Sequence, residues 1–365
     1  MDLKSLLEIL VKDGGSDLIL KTGGFPAIRA CGQIKFIADT RITTEMGREY
    51  LQQVLPKNDL QRFRSLGEID TAFSLPGLAR FRLNIFRQSG ELGFVFRHIQ
   101  SDVPSFKDLN LPVAQLKKLC ELRRGLVLTT GIAGSGKSTT MAAMVEYMNQ
   151  TMSRHIVTIE DPIEYIFEDK LSIISQREVG LDSTTFGQAL KHCVRQTPDV
   201  ILIGEMRDQE TVEAAIQAAE TGHLVLSTLH TVNAVQTVER IMTFFPPHQH
   251  DLIRQQLSMN LAGVISLRLI RNKVGEGRIP AVELLLSTPT TREIISEGRT
   301  KDLHKALFEG DYYGTMTFNQ SLLRLYDRDM VTHEEALASS DNADELRLLM
   351  RGIQKGTGAA DLLQT

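Results

Sequence analysis

One run of eight residues constrains this chain more than any other stretch. Gly131-Ile132-Ala133-Gly134-Ser135-Gly136-Lys137-Ser138 fits G-x-x-x-x-G-K-[ST], the pattern of a phosphate-binding loop. It follows the apolar run Leu126-Val127-Leu128-Thr129-Thr130, which reads as a buried strand. It leads into Thr139-Thr140-Met141-Ala142-Ala143-Met144-Val145, which reads as the first turns of a helix. That strand–loop–helix context is what the pattern requires. Its glycines let backbone N–H groups curl around a phosphate chain at a helix N-terminus, where the dipole also favours anions. Gly131, Gly134, Ser135, Gly136, Lys137, Ser138 and Thr139 are therefore the expected nucleotide contacts. Lys137 would reach the β- and γ-phosphates of ATP, and the Ser138 hydroxyl would ligate Mg²⁺.

Composition excludes several classes. The 365 residues allow two or three domains, and 42% hydrophobic with 24% charged is ordinary globular usage. A net charge of −4 argues against nucleic acid as a partner of the whole surface, and so against a DNA translocase. The three cysteines, Cys31, Cys120 and Cys193, lie far apart with no C-x-x-C pair, which argues against a disulfide scaffold or a structural zinc. No run approaches a membrane span, and Met1-Asp2-Leu3-Lys4 opens into an amphipathic pattern, so the expectation is a cytoplasmic chain.

The spacing of Leu3, Leu6, Leu7 and Leu10 predicts a first helix. Strands are expected over 17–21, 27–30 and 33–37, with a tight turn at Cys31-Gly32, then two short helices between Thr44 and Leu66 broken at Pro56. Strands over 69–75, 79–86 and 92–99 follow. Residues 1–100 thus read as a small α+β domain on an antiparallel sheet. Residues 101–112, with Pro104 and Pro112, read as a linker, followed by a helix over 113–123. From there strands (155–159, 200–203, 224–228) alternate with helices (185–195, 209–221), which implies an α/β domain with a parallel sheet covered on both sides. The ATPase core is expected over 113–288, a helical region over 289–352 and a flexible Gly-rich tail over 353–365. Apolar pieces at 264–270 and 281–286 interrupt the late helical pattern, and Thr332-His333-Glu334-Glu335 has capping-box spacing.

Carboxylates at strand ends supply the chemistry. Pro198-Asp199-Val200-Ile201-Leu202-Ile203-Gly204-Glu205 is an apolar strand ending in an acid. In a parallel sheet ligands bind beyond the strand C-termini, so Glu205 should emerge beside the phosphate loop and orient the attacking water. Asp199 lies at the wrong end, Asp208 suits a helix cap, and Mg²⁺ would be held by Ser138, phosphate oxygens and water, with Glu205 acting through a water. Thr158-Ile159-Glu160-Asp161-Pro162-Ile163-Glu164 repeats the arrangement: Glu160 and Asp161 would polarise water or Mg²⁺, and Glu164 reads as structural. One histidine, His223 or His230, stands at each end of the strand that begins at Leu224. His230 is placed to sense the γ-phosphate or hold Glu205. His223 lies roughly 20 Å away at ~3.3 Å per residue, which favours a structural role about as much as a functional one. In Arg80-Phe81-Arg82-Leu83-Asn84-Ile85, alternation sends Arg80, Arg82 and Asn84 to one face, with Arg97 on the next strand. That face is either solvated or a source of positive charge for the γ-phosphate.

The order of these motifs resembles that of the type II secretion and type IV pilus ATPases: G-x-x-G-S-G-K-S-T, T-I-E-D-P-I-E, D-V-I-L-I-G-E-M-R-D and A-E-T-G-H-L-V-L-S-T-L-H-T. They match the Walker A, Asp box, atypical Walker B and His box. The likeness spans nearly the whole chain and is greatest to the PilT/PilU family of pilus retraction ATPases. It implies a PAS-like N-terminal domain, a RecA-like ATPase domain, a homohexamer and an inner-membrane pilus platform protein as partner. It further implies a site at the cytoplasmic face of the inner membrane and a hinge at the linker. It also implies that Glu205 is catalytic with Glu160, His223 and His230 in support, and that Arg80, Arg82 and Arg97 close on ATP. The absence of any cysteine after Cys193 sets the chain apart from relatives with a tetracysteine zinc subdomain. Where retraction motors carry A-I-R-N-L-I-R-E, this chain has Thr290-Thr291-Arg292-Glu293-Ile294-Ile295-Ser296-Glu297. That departure tilts the expectation toward a PilU-like accessory motor with a PilT-like ATPase as partner, or a ring subunit that binds ATP mainly to assemble with one.

Overall fold

The structure, a computed structural model, describes residues 2–353 except Cys31, Gln100, Ser101 and Glu276. The chain forms two compact units. One comprises Met1–Asp102 with Pro162–Phe167, the other Val103–Asp161 with Glu168 onward.

In the first unit, α1 (Leu3–Lys12) buries Leu3, Leu6, Leu7 and Leu10, and the Asp2 side chain caps it by accepting from the Lys4 amide. Strands β1 (Asp17–Lys21), β2 (Ala27–Ala30) and β3 (Gln33–Phe36) are followed by α2 (Thr44–Val54) and α3 (Lys57–Leu66), which Pro56 separates. Then come β4 (Glu68–Leu75), β5 (Ala79–Gln88) and β6 (Glu91–Ile99). All pair antiparallel in the order β3-β2-β1-β6-β5-β4. Alternation on β5 buries Phe81, Leu83 and Ile85 on the helix-covered face, where Phe94 and Phe96 join them. Arg82 and Arg97 face each other across β5 and β6 on the other side. The turn expected at Cys31 lies outside the described residues.

The second unit begins earlier than expected. Residues 103–112 are an ordered part of it rather than a linker: Phe106 and Leu111 are buried, and Phe106 packs 5.5 Å from the ring of Tyr147. The Ser105–Asp108 hydrogen bonds close that turn, and Asn110 adopts φ +54°, a left-handed value that Asn tolerates. Next come α4 (Val113–Glu121), which stops two residues short of the expected end, β7 (Gly125–Thr130), α5 (Lys137–Thr151) and β8 (His155–Glu160). After the excursion of 162–167 into the first unit, β9 (Ile173–Glu178), α6 (Phe186–Cys193), β10 (Val200–Ile203), α7 (Gln209–Glu220) and β11 (Leu224–Leu229) follow. Then come α8 (Ala234–Thr243), α9 (His250–Asn260), β12 (Leu261–Arg271) and β13 (Arg278–Leu286). The chain ends on α10 (Pro289–Ser296), α11 (Leu303–Glu309), α12 (Phe318–Asp327), α13 (His333–Ala338) and α14 (Ala343–Met350). The expected tail lies outside the described residues beyond Ile353.

The sheet order is β13-β12-β7-β11-β10-β8-β9, parallel except for β13. Strands β7, β10 and β11 are buried along their whole length, as a sheet covered on both faces requires. The apolar pieces at 264–270 and 281–286 are therefore a hairpin that extends this sheet. Gly263 permits its entry, since a Cβ there would come within 3.1 Å of Leu119 and of the Leu285 carbonyl. Helices α12, α13 and α14 bury Phe318, Leu322, Ala336 and Leu346 against the outer ends of the hairpin.

Candidate active site

Parallel β7, β11, β10 and β8 lie side by side, so the segments leaving their C-terminal ends meet along one edge of the sheet. These segments are the glycine loop, His230, Glu205 and Glu160–Asp161 in turn.

The loop after β7 closes on itself. Gly131 has φ +145°, and a Cβ there would lie 2.4 Å from Ser135 Oγ and 2.6 Å from the Leu267 carbonyl. Gly134 and Gly136 also have positive φ, Gly136 as the N-cap of α5. The buried Lys137 sends Nζ back to the carbonyls of Gly131 and Ile132, each at 2.9 Å, which sets its charge at the centre of the loop. Ser138 is exposed at the first turn of α5. The buried Ser135 Oγ has no hydrogen-bond partner among the described residues. A helix N-terminus, glycines at positive φ with no room for a Cβ at Gly131, a central ammonium and a hydroxyl unmatched among the described residues together suit a phosphate chain.

Glu205 is brought to this loop by the backbone around it. The Gly204 amide donates to the Ile159 carbonyl at 2.8 Å, and Thr228 Oγ1 donates to the Gly204 carbonyl at 2.6 Å. Asp208 caps α7 through the Thr211 amide at 2.8 Å. Glu205 Oε1 then lies 3.2 Å from His230 Nε2, and His230 Nδ1 lies 3.4 Å from Lys137 Nζ. An ammonium can only donate, so Nδ1 accepts and Nε2–H donates to the carboxylate. Glu205 Oε2 accepts from Arg207 Nε at 2.9 Å, and Arg207 Nη1 stands 3.9 Å from Asp161 Oδ2. Glu160 is half-buried, its Oε1 accepting from Thr158 Oγ1 at 2.6 Å and Gln176 Nε2 at 3.3 Å.

Lys137, His230, Glu205 and Asp161 thus form one chain of contacts, joined by Arg207, which the motif contained but residue-by-residue reading passed over. His223 is not among them. It sits at the opposite end of β11, with Nδ1 2.9 Å from the Ala218 carbonyl, because a six-residue strand separates it from the cluster. Asp199 also lies at that end, accepting from the His155 amide at 2.8 Å. Arg80, Arg82 and Arg97 belong to the first unit, where Arg97 pairs with Asp17 at 2.8 Å and Arg82 with Asp70 at 4.0 Å. Among the described residues no group of three or more His, Cys, Asp or Glu could hold a metal ion.

Two further features carry no local sequence signal. A cavity of about 250 Å³ adjoins the loop, lined by Asn110, Leu111, Gly136, Thr139, Leu267 and Arg278 among others. Its walls come from the turn before α4 and from the β12–β13 hairpin, so only the fold assembles it. Glu283 on β13 is buried and accepts from the Ala234 amide at 2.7 Å, which pins the start of α8 just after His230. Burial pushes its carboxyl up to about 7, the Ala234 N–H opposing, with Asp341 adding to the rise and Arg268 opposing it.

A family model described as type II/IV secretion system protein matches residues 80–346. The type IV pilus ATPase PilU of Pseudomonas aeruginosa is 40% identical over 351 residues, covering 96% of this chain and 92% of that protein. The pilus retraction ATPase PilT of the same organism is 41% identical, covering 92% and 97%. A crystal structure of the pilus retraction motor PilT with bound ADP superposes with a TM-score of 0.88 at 41% identity, covering 95% of this chain and 99% of that one.

Proposed function

The chain belongs to the type II/IV secretion ATPase family, among the PilT/PilU pilus retraction ATPases, and on that premise we propose that it hydrolyses ATP to drive retraction of a type IV pilus. One observation carries the reading: Lys137, His230 and Glu205 are in contact at the mouth of a glycine loop built for phosphate. The loop amides and Lys137 would hold the β- and γ-phosphates, and the adjoining cavity would take the nucleoside. Mg²⁺, held by Ser138 and phosphate oxygens, would supply charge neutralisation on the transferring group. Glu205 would orient the attacking water, with its carboxylate held by His230. Glu160 and Asp161 would support the water and metal shell, and Arg80, Arg82 and Arg97 would contribute positive charge as the family resemblance implies.

The proposed assembly is a homohexamer acting on a pilus platform protein at the cytoplasmic face of the inner membrane. No described helix is long and apolar enough to cross a membrane. Within the family, the departure at 290–297, which spans most of α10 and its C-cap Glu297, supports an accessory motor working with a PilT-like ATPase. Phosphate release by the purified protein tests the activity, and Glu205→Ala should reduce it by about 10²-fold or more. Surface pili accumulating in a deletion strain, with co-purification of a PilT-like ATPase, test the role. Undiminished turnover in Glu205→Ala would refute the site.

A further inference from the structure

We propose that Arg207 is a positioning residue for hydrolysis: it fixes the Glu205 carboxylate and ties its orientation to Asp161. The inference rests on Glu205 being the residue that orients water.

The local backbone makes this possible. Met206 is buried, and its amide donates to the Thr228 carbonyl at 3.2 Å, so its neighbours Glu205 and Arg207 project away from the core together. Each oxygen of Glu205 then meets a different element. Oε1 faces His230 at the end of β11, and Oε2 faces Arg207 on the loop before α7. A carboxylate gripped at one oxygen can still rotate about its terminal bond; gripped at both, it holds one plane. Arg207 suits this task because a guanidinium offers several donors in a fixed fork, which a lysine ammonium does not. Its Nε meets Glu205 while Nη1 faces Asp161.

Asp161 gives the contact a second meaning. It is the last residue of the second unit before the chain enters the first unit at Pro162, to return at Glu168. Arg207 therefore joins the carboxylate of the hydrolytic site to the point where the chain crosses between units. Its side chain is 59% exposed, so it is not a core element whose loss would collapse the fold.

Steady-state ATP turnover by the full-length assembly tests this with Arg207→Gln, Arg207→Lys, Asp161→Asn and the Arg207→Gln/Asp161→Asn double variant. Arg207→Gln should lower kcat about tenfold with KM for ATP within about twofold and an unchanged melting temperature. Arg207→Lys keeps charge and stem, and should still lose most of that kcat, because orientation rather than charge is at stake. It also stands in should the glutamine variant assemble poorly. Asp161 would also stand by the water and metal shell, so the double variant should have a kcat below that of Arg207→Gln alone but well above the product of the two single losses. An unchanged kcat in both Arg207 variants, full rescue by lysine, or losses that multiply in the double variant would each overturn the proposal. Glu205→Gln separates the two readings. Turnover retained there removes the site assignment itself, whereas turnover lost there but intact in the Arg207 variants removes only the role of Arg207.

Discussion

His230 Nε2 stands 3.2 Å from Glu205 Oε1, and this contact joins the strand-end histidine to the carboxylate proposed to orient water. A hydrogen bond to a charged group contributes about 1.5–3 kcal/mol. His230→Ala should therefore lower kcat by about ten- to a hundredfold, while His223→Ala, at the far end of β11, should change it much less. Phosphate release by the two variants checks the contrast. Equal losses would mean that distance along the strand does not separate their roles.

Gly131→Ala should weaken nucleotide binding more than it unfolds the protein. Its Cβ would meet Ser135 Oγ and the Leu267 carbonyl, and the backbone sits at φ +145°. Relief requires the loop to open, at a cost of about 1–3 kcal/mol in stability. Titration with a fluorescent ATP analogue should show at least about tenfold weaker binding. Lys137→Ala should show a similar loss with little change in melting temperature.

Glu283 should make the second unit more stable in mild acid. Burial lifts its carboxyl in the folded state to about 7, above the ordinary carboxylate value of 4.5. Between these values the folded state binds more protons than the unfolded, so the contribution is fully present below about 4.5 and is lost as pH rises through about 7. At about 1.4 kcal/mol per unit, up to about 3 kcal/mol is at stake. Glu283→Gln keeps an acceptor for the Ala234 amide and removes the titration. Denaturation at pH 5.5 and 7.5 should show a smaller difference in the variant than in the parent chain; an identical difference would rule out the buried carboxyl as its source.

Phe96→Ala should destabilise the first unit by about 3–5 kcal/mol. Its ring is fully buried and packs edge-on against Phe73 and Phe81 at 6.2 and 6.4 Å. Phe36, 66% exposed on the edge strand β3, should tolerate alanine at under about 1 kcal/mol. Chemical denaturation of the two variants gives the comparison.

Much of the site was legible because its parts obey local rules. A glycine loop needs positive φ and an unhindered backbone, an apolar run ending in an acid needs a parallel sheet, and alternation on 80–85 needs one buried face. Each rule is written in neighbouring residues, so Lys137, Glu205 and the Phe81 face could be read directly. The hairpin of β12 and β13 was harder, since a short apolar piece reads equally as buried helix or strand until it finds a partner. Residues 103–112 looked like a linker because two prolines flank them, but Phe106 buries its ring and makes them part of the second unit.

By itself, then, the chain's order of residues determined which chemistry is on hand: a loop for phosphate, carboxylates at strand ends, a histidine to accompany them. Only the tertiary structure decided which of them meet. Side-by-side parallel strands carried His230 to Glu205 and left His223 about a strand's length away, and the segment between β10 and α7 turned Arg207 onto the same carboxylate. Glu283, 49 residues after Ala234, reached its amide because β13 joins the sheet edge, and the cavity beside the glycine loop was walled by residues far apart in sequence. Such contacts depend on sheet order and packing, which no local pattern of side chains encodes.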